Sequence, residues 1–228
     1  MSDPVAVRSM FARIAGRYDL LNRALSLGID QRWRKQTVRH AGDVRGKLVV
    51  DACTGTGDLA LAFARAGARV VGVDFTYEML ERAPRKLRRG DAPAVFAHGD
   101  ALRLPLAAGV ADVCTVAFGL RNVADRLAGL REMRRVVRSG GQVLVLEFTT
   151  PRSRVFGALY RGYFTRVLPR VGALVSRDRG AYEYLPRTVL AWPQAEELQA
   201  EMEELGLTGC GFRSFTGGVA ALHWGRVP

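Results

Sequence analysis

The sequence predicts an α/β fold built on a doubly wound, mostly parallel seven-stranded sheet, with N-terminal helices and a helical insertion after the fifth strand. Three observations carry this. Apolar runs of strand length alternate five times with segments whose apolar residues recur at helical spacing. A Gly-rich turn follows the first run, in Leu48-Val49-Val50-Asp51-Ala52-Cys53-Thr54-Gly55-Thr56-Gly57. The second run, Val70-Val71-Gly72-Val73, closes on the carboxylate Asp74. In open α/β sheets, ligands bind outside the carboxyl ends of the strands, where a glycine loop and a helix N-terminus meet.

Taken in order, residues 4 to 40 place Val7, Met10, Phe11, Ile14, Leu21, Leu25 and Trp33 at helical spacing, interrupted near Gly16 and Gly28, which predicts two or three helices ahead of the sheet. Within them Tyr18-Asp19-Leu20-Leu21-Asn22 and Asp30-Gln31-Arg32-Trp33-Arg34 hold more polar and aromatic groups than a plain helical layer needs, which would suit the lining of a site, although a cap and a solvated face are the simpler explanation. The first sheet-packing helix spans 58–66. A second is expected over 79–87, disturbed at Pro84. Val95-Phe96-Ala97 makes the third strand and leads to Asp100 and Ala101, a carboxylate and a small residue suited to an adenine edge, or a simple helix cap. The fourth strand, 112–117, runs into Phe118-Gly119-Leu120-Arg121-Asn122 and an arginine-rich helix over 125–137. Gly140-Gly141 is expected to turn the chain into a central strand over 142–148. Residues 155–168 read as an amphipathic, aromatic and basic helix fit to cover a ligand, rest on a membrane or pack in the core. An acidic helix over 194–205 and a hairpin across Thr216-Gly217-Gly218 close the chain. The expected organisation is a single domain, 1–228, with a helical cap over 1–45, a cofactor-binding core over 46–150, a lid or substrate insertion over 151–193 and a closing helix and hairpin over 194–228.

Two cofactor classes fit the glycine loop. Gly55-Thr56-Gly57-Asp58-Leu59-Ala60 satisfies the dinucleotide pattern G-x-G-x-x-A, and Asp74 follows at about the expected spacing of roughly 20 residues. The alternative is the nucleoside loop of S-adenosylmethionine methyltransferases, with Asp51 at the end of the first strand, Asp74 after the second and Asp100 after the third. Asp51 would repel a pyrophosphate in a poorly screened site, whereas a sulfonium cofactor carries no phosphate and brings a cationic ammonium group. This favours the methyltransferase reading.

Composition sets further bounds. With 228 residues, 48% hydrophobic content and a mean hydropathy of +0.01, the chain suits one globular domain with a large core. No apolar run approaches the roughly 18 residues of a membrane span. Arg8, Arg13 and Arg17 interrupt the N-terminus where a signal peptide would have its apolar stretch, so a cytoplasmic protein is expected. The net charge of +12 favours anionic partners, either nucleic acid or an anionic membrane face. Only Lys35, Lys47 and Lys86 among the 34 basic residues are lysines, and the arginines are spread along the chain. Cys53, Cys114 and Cys210 are isolated, and His40, His98 and His223 stand in no metal-ligand spacing, so no metal is expected.

Beyond these chemical readings, the chain resembles the menaquinone and ubiquinone biosynthesis C-methyltransferases from about Met10 to Trp224. The resemblance rests on Tyr18-Asp19-Leu20-Leu21-Asn22 with Ser26, Gly28 and Trp33; on Gly55-Thr56-Gly57-Asp58; on Phe118-Gly119-Leu120-Arg121-Asn122; on Gly140-Gly141 with Glu147-Phe148; on Tyr182-Glu183-Tyr184-Leu185; and on the segment from Thr216 to His223. The chain departs from the family pattern at Asp30 in place of a histidine, Leu21 of a methionine, Ser139 of a proline and Thr149 of a serine. Ala117 stands where ubiquinone-pathway members carry a serine, which leans toward the menaquinone branch.

The resemblance implies a class I methyltransferase fold of Rossmann-like type and methyl transfer from S-adenosylmethionine to a ring carbon of a polyprenylated quinol, giving menaquinol and S-adenosylhomocysteine. Ubiquinone-pathway benzoquinol methylation is the alternative within the family, and RNA methylation the alternative outside it, although no RNA-binding appendage is visible. Carried over by motif, Thr56, Asp74, Asp100 and Ala101 contact the cofactor while Gly55 and Gly57 shape the loop. Arg121 is expected to stabilise a ring phenolate, directly or through a water, with Asn122 and Tyr18 positioning the ring. A lipid-soluble quinol and peripheral contact with an anionic membrane on its inner face are the implied partners, with no specific nucleic acid; a homodimer is compatible with the sequence.

Overall fold

The computed structural model describes residues 4–26, 28–151, 153, 157, 162 and 179–228. Three helices precede the sheet: α1 (Pro4–Ile14), α2 (Tyr18–Ser26) and α3 (Ile29–His40). Then follow β1 (Leu48–Ala52), α4 (Asp58–Arg65), β2 (Arg69–Asp74), the short α5 (Tyr77–Leu80), β3 (Ala94–His98), β4 (Ala111–Ala117), α6 (Arg126–Val136) and β5 (Val137–Phe148). Helices α7 (Arg179–Leu190) and α8 (Ala195–Glu204) lead to β6 (Thr208–Phe215) and β7 (Ala220–Arg226). The expected helix over 155–168 lies outside the described residues.

The seven strands order as β3-β2-β1-β4-β5-β7-β6. The first five are parallel, and β7 joins antiparallel to β5 and β6, as the expected closing hairpin. Strand order reverses between β1 and β4, the switch point where a doubly wound sheet opens its ligand crevice.

Burial on both faces explains why the central strands read as unbroken apolar runs. In β5, Val143 and Val145 join the core formed with Leu130, Met133 and Val136 of α6 and with Leu198 and Met202 of α8. The intervening Leu144 and Leu146 face the opposite core, with Trp33 of α3 and Leu59 and Phe63 of α4. A period of two thus splits one strand between two layers.

Two sequence expectations change. The helix expected over 79–87 is two pieces, because Pro84 opens a separate 3-10 turn, Pro84–Lys86, and cannot continue the hydrogen bonds of α5. The Gly140-Gly141 turn is an irregularity inside a longer strand: Ala111 pairs with Val137 but Val113 with Gln142, so residues between them bulge from the β4 register. Gly141 is required there, since a Cβ would meet the Asp112 carbonyl oxygen at 2.7 Å.

Candidate active site

The loop after β1 takes its shape from two strand-end carboxylates. Asp74 Oδ2 accepts the Gly55 N–H at 2.8 Å and its Oδ1 accepts the Thr76 N–H at 2.8 Å, which ties this loop to the end of β2. Asp51 lies beneath the loop. Its Oδ2 accepts the Thr54 hydroxyl at 2.6 Å and the Ala60 N–H at 3.1 Å, so it caps the start of α4 from the adjoining strand. Gly57 precedes α4 at φ 82°, and a Cβ there would meet the Ala83 Cβ at 2.8 Å. Gly55, at φ 56°, has open space where a Cβ would stand.

A cavity of about 920 Å³, its open mouth included, spreads over these strand ends. Gly55, Thr56, Asp74, Asp100, Ala101, Tyr18 and Asn122 line it. Of the residues singled out from the sequence, Asp51, Gly57 and Arg121 are not among the lining residues: the first two hold the loop from below. Of the three acids expected to converge, Asp74 and Asp100 line the cavity and Asp51 supports the loop beneath it. Asp100 is exposed and its Oδ1 accepts the Leu102 N–H at 2.9 Å, so the capping role left open by the sequence coexists with a place on the cavity wall.

Arg121 is committed elsewhere. Its Nη1 donates to Glu147 Oε1 at 2.6 Å and to the Phe118 carbonyl at 2.5 Å, and the guanidinium lies 5.2 Å from the centre of the Phe148 ring. Glu147 is fully buried; burial pushes its carboxyl pKa up, against the lowering charge of Arg121. Arg121 therefore locks the loop after β4. Its Nε is buried and makes no hydrogen bond among the described residues, and Arg121 is not among the residues that line the cavity. Tyr18 carries a pKa raised by burial, opposed by its hydrogen bond with Asn22 and by the charges of Arg121 and Arg34. Asn122 Oδ1 accepts the Tyr184 hydroxyl at 3.0 Å.

The N-terminal helices supply part of the wall through contacts that no single motif announces. Lys86 Nζ reaches Asp58 Oδ1 at 2.8 Å, Thr56 Oγ1 at 2.9 Å and Asp19 Oδ2 at 2.5 Å, and Gln31 Nε2 donates to Asp58 Oδ2 at 3.0 Å. Burial pushes the Asp58 carboxyl up, yet the charges of Arg34 and Lys86 outweigh it and hold the pKa low. Arg34 on α3 also lines the cavity, stacked 5.2 Å from the Phe118 ring centre, a role that its place in a basic helical run conceals. Cys53 and Phe118, both at positive φ (50° and 60°), begin the two loops that flank the cavity.

These groups suit a cationic nucleoside better than a dinucleotide. The lining carboxylates Asp58, Asp74 and Asp100 outnumber the lining cation Arg34 among the described residues, the wrong balance for pyrophosphate. Asp74 accepts one backbone N–H on each oxygen and a bond from the Thr76 side chain, which leaves acceptor capacity for a ligand hydroxyl. Gly55 leaves space beside it for a nucleoside to pass.

Fold and site together define a Rossmann-like methyltransferase. More particularly, the chain belongs to the ubiE/COQ5 methyltransferase family, whose pattern matches residues 2–227. It is 46% identical over 222 residues to a demethylmenaquinone methyltransferase of Deinococcus radiodurans, covering 96% of this chain and 92% of that one. It is 47% identical over 221 residues to a demethylmenaquinone methyltransferase of Thermus thermophilus, covering 96% and 100%. A ubiquinone/menaquinone biosynthesis C-methyltransferase of Syntrophotalea carbinolica is 45% identical over 220 residues, covering 96% and 92%. Among solved structures, a possible histamine N-methyltransferase from Thermotoga maritima aligns with a TM-score of 0.68 at 17% identity over 97% of this chain and 100% of that one. A methyltransferase from Aquifex aeolicus aligns at 0.62 and 15%, covering all of both chains. At such identities the likeness is one of fold alone.

Burial pushes the Asp51 pKa up to about 7 from 3.8, against the Thr54 hydrogen bond and the charge of Arg34. The folded state thus holds a proton that the unfolded chain has released, and stability from this group declines as pH rises across that interval, then levels off. Asn can accept both bonds now made to Oδ2 and cannot titrate. Asp51→Asn should therefore gain on the wild type between about pH 4.5 and pH 8 in urea denaturation; an unchanged difference would contradict this. Arg121→Met, which strands a buried Glu147, should cost about 3–5 kcal/mol by the same method. A loss below about 1 kcal/mol would show that the pair does not fix the loop.

Proposed function

We propose that the protein methylates a ring carbon of a polyprenylated naphthoquinol, converting demethylmenaquinol to menaquinol. The observation that carries the reading is the cavity itself, which brings the carboxylates Asp74 and Asp100 together with Tyr18, Asn122 and Phe118 in one lining. Family membership and the names of the relatives support the substrate class, and Ala117 on the cavity wall supports the menaquinone branch. S-adenosylmethionine, when bound, supplies the methyl group.

Asp74 would take the ribose hydroxyls, Asp100 and Ala101 the adenine edge, and Gly55 and Thr56 the span between. An aromatic carbon becomes a good nucleophile only as its ring hydroxyl ionises, so the protein must favour loss of that proton. Tyr18 and Asn122 face the cavity and would position the ring oxygen. Tyr184 restrains Asn122 through its hydroxyl, and Arg121 acts from behind, through the loop that it braces and the charge that it brings to Tyr18. Pro4, Phe11 and Met79 give the cavity apolar wall of the kind an isoprenoid quinol needs. The net charge of +12 would draw the enzyme to an anionic membrane that stores the substrate.

Purified enzyme supplied with labelled S-adenosylmethionine should methylate demethylmenaquinol faster than a demethoxy-type benzoquinol, and total RNA not at all. Transfer to the benzoquinol alone would move the protein to the ubiquinone branch, and transfer to RNA would replace the reading. Liposomes rich in phosphatidylglycerol should bind the protein in low salt and release it as salt rises; no binding to acidic liposomes would remove the membrane from the account.

A further inference from the structure

We propose that Arg34 receives the carboxylate at the amino-acid end of the bound cofactor. This rests on the S-adenosylmethionine reading above and assigns a ligand group to a residue outside the glycine loop and the strand-end acids.

Arg34 is a buried cation with unspent hydrogen-bonding capacity. Its side chain is 8% exposed, and its Nε is buried with no hydrogen-bond partner. Asp30 Oδ2 lies 3.6 Å from Nε, an ion pair across one helical turn that is beyond hydrogen-bond reach and leaves the Nε donor unmet. The Asp30 oxygens are already engaged, Oδ1 by the Ser26 hydroxyl at 2.7 Å and Oδ2 by Gln31 Nε2 at 3.2 Å. One flat face of the guanidinium rests on Phe118, which leaves the N–H edges for an acceptor. A buried guanidinium is costly unless its donors are met, and a carboxylate is the group that meets them in pairs.

Charge and topology choose the end of the ligand. Arg34 is the only Arg or Lys among the described lining residues. Of the lining carboxylates, Asp58 is answered by Lys86, which leaves Asp74 and Asp100 at the ends of β2 and β3. The strand order β3-β2-β1-β4 then sets a direction: a nucleoside held at β3 and β2 points its amino-acid end across β1 toward β4. Arg34 stands there, over the residue that follows β4. A ligand with two cationic groups and one carboxylate matches this distribution.

Calorimetric titration with S-adenosylhomocysteine and with its decarboxylated analogue tests the assignment. Wild-type protein should bind S-adenosylhomocysteine roughly 10- to 100-fold more tightly than the analogue, as expected for charge-assisted hydrogen bonds in a buried site. Arg34→Met should lose about that factor for S-adenosylhomocysteine while binding the analogue as the wild type does, with Arg34→Lys in between. Equal wild-type affinity for the two ligands overturns the assignment without any variant, so a failure of Arg34→Met to fold leaves the question decided. Equal weakening of both ligands in Arg34→Met would overturn it in favour of a packing role. Unchanged affinity with reduced turnover would overturn it in favour of contact with the quinol oxygen. Wild-type protein that binds neither ligand defeats the S-adenosylmethionine reading instead.

Discussion

The carboxylate of Asp74 is the constraint from which the site follows. By accepting one backbone N–H from the loop after β1 and another from the segment after β2, it fixes two chain segments with one side chain. The Thr54 N–H adds a bond to the Val73 carbonyl at 3.0 Å, so the loop is pinned along its first residues and left open at Gly55. Burial raises the Asp74 pKa, and the Thr76 and Gly55 N–H groups work against that rise. A carboxylate so held has its position set before any ligand binds, which lowers the cost of reorganisation on binding.

The N-terminal helices are part of the site and not an ornament on the sheet. Lys86 gathers Asp19, Thr56 and Asp58, so α2, the glycine loop and α4 meet at one ammonium group. Gln31 adds α3 to the same cluster. Trp33 Nε1 donates to Thr216 Oγ1 at 3.1 Å, which fastens α3 to the turn between β6 and β7 at the far end of the chain. Without these ties Tyr18 and Arg34 would have no fixed place over the strand ends, and the cavity would lose the Tyr18 phenol and the one cation among its described lining residues together.

The central parallel strands were legible because burial on both faces forces near-continuous apolar runs, and Asp74 was legible because it closes one; Asp100 stands two residues beyond the end of β3, an edge strand with an exposed side. Pro84 was visible as a disturbance, but its effect, two separate turns, depends on how the chain returns to β3. The pairing of Arg121 was hidden for a physical reason: its partner Glu147 lies 26 positions away, and a motif that joins Leu120, Arg121 and Asn122 gives no sign that the guanidinium turns to the neighbouring strand. Arg34 went unassigned because within its own helix it is one basic residue among several. Only the approach of Phe118, brought over from β4, shows that it faces the cavity. Local chemistry fixes the strand ends, and long-range packing decides which charges reach the ligand.

The most direct measurement is a crystal structure with S-adenosylhomocysteine bound. The ribose hydroxyls are predicted on the Asp74 carboxylate, with the adenine against Asp100 and Ala101 and the thioether sulfur directed toward Tyr18 and Asn122. A nucleoside lodged away from Asp74, or a requirement for a pyrophosphate seated against Gly55 and Thr56, would contradict the strand-end carboxylate as the organising element.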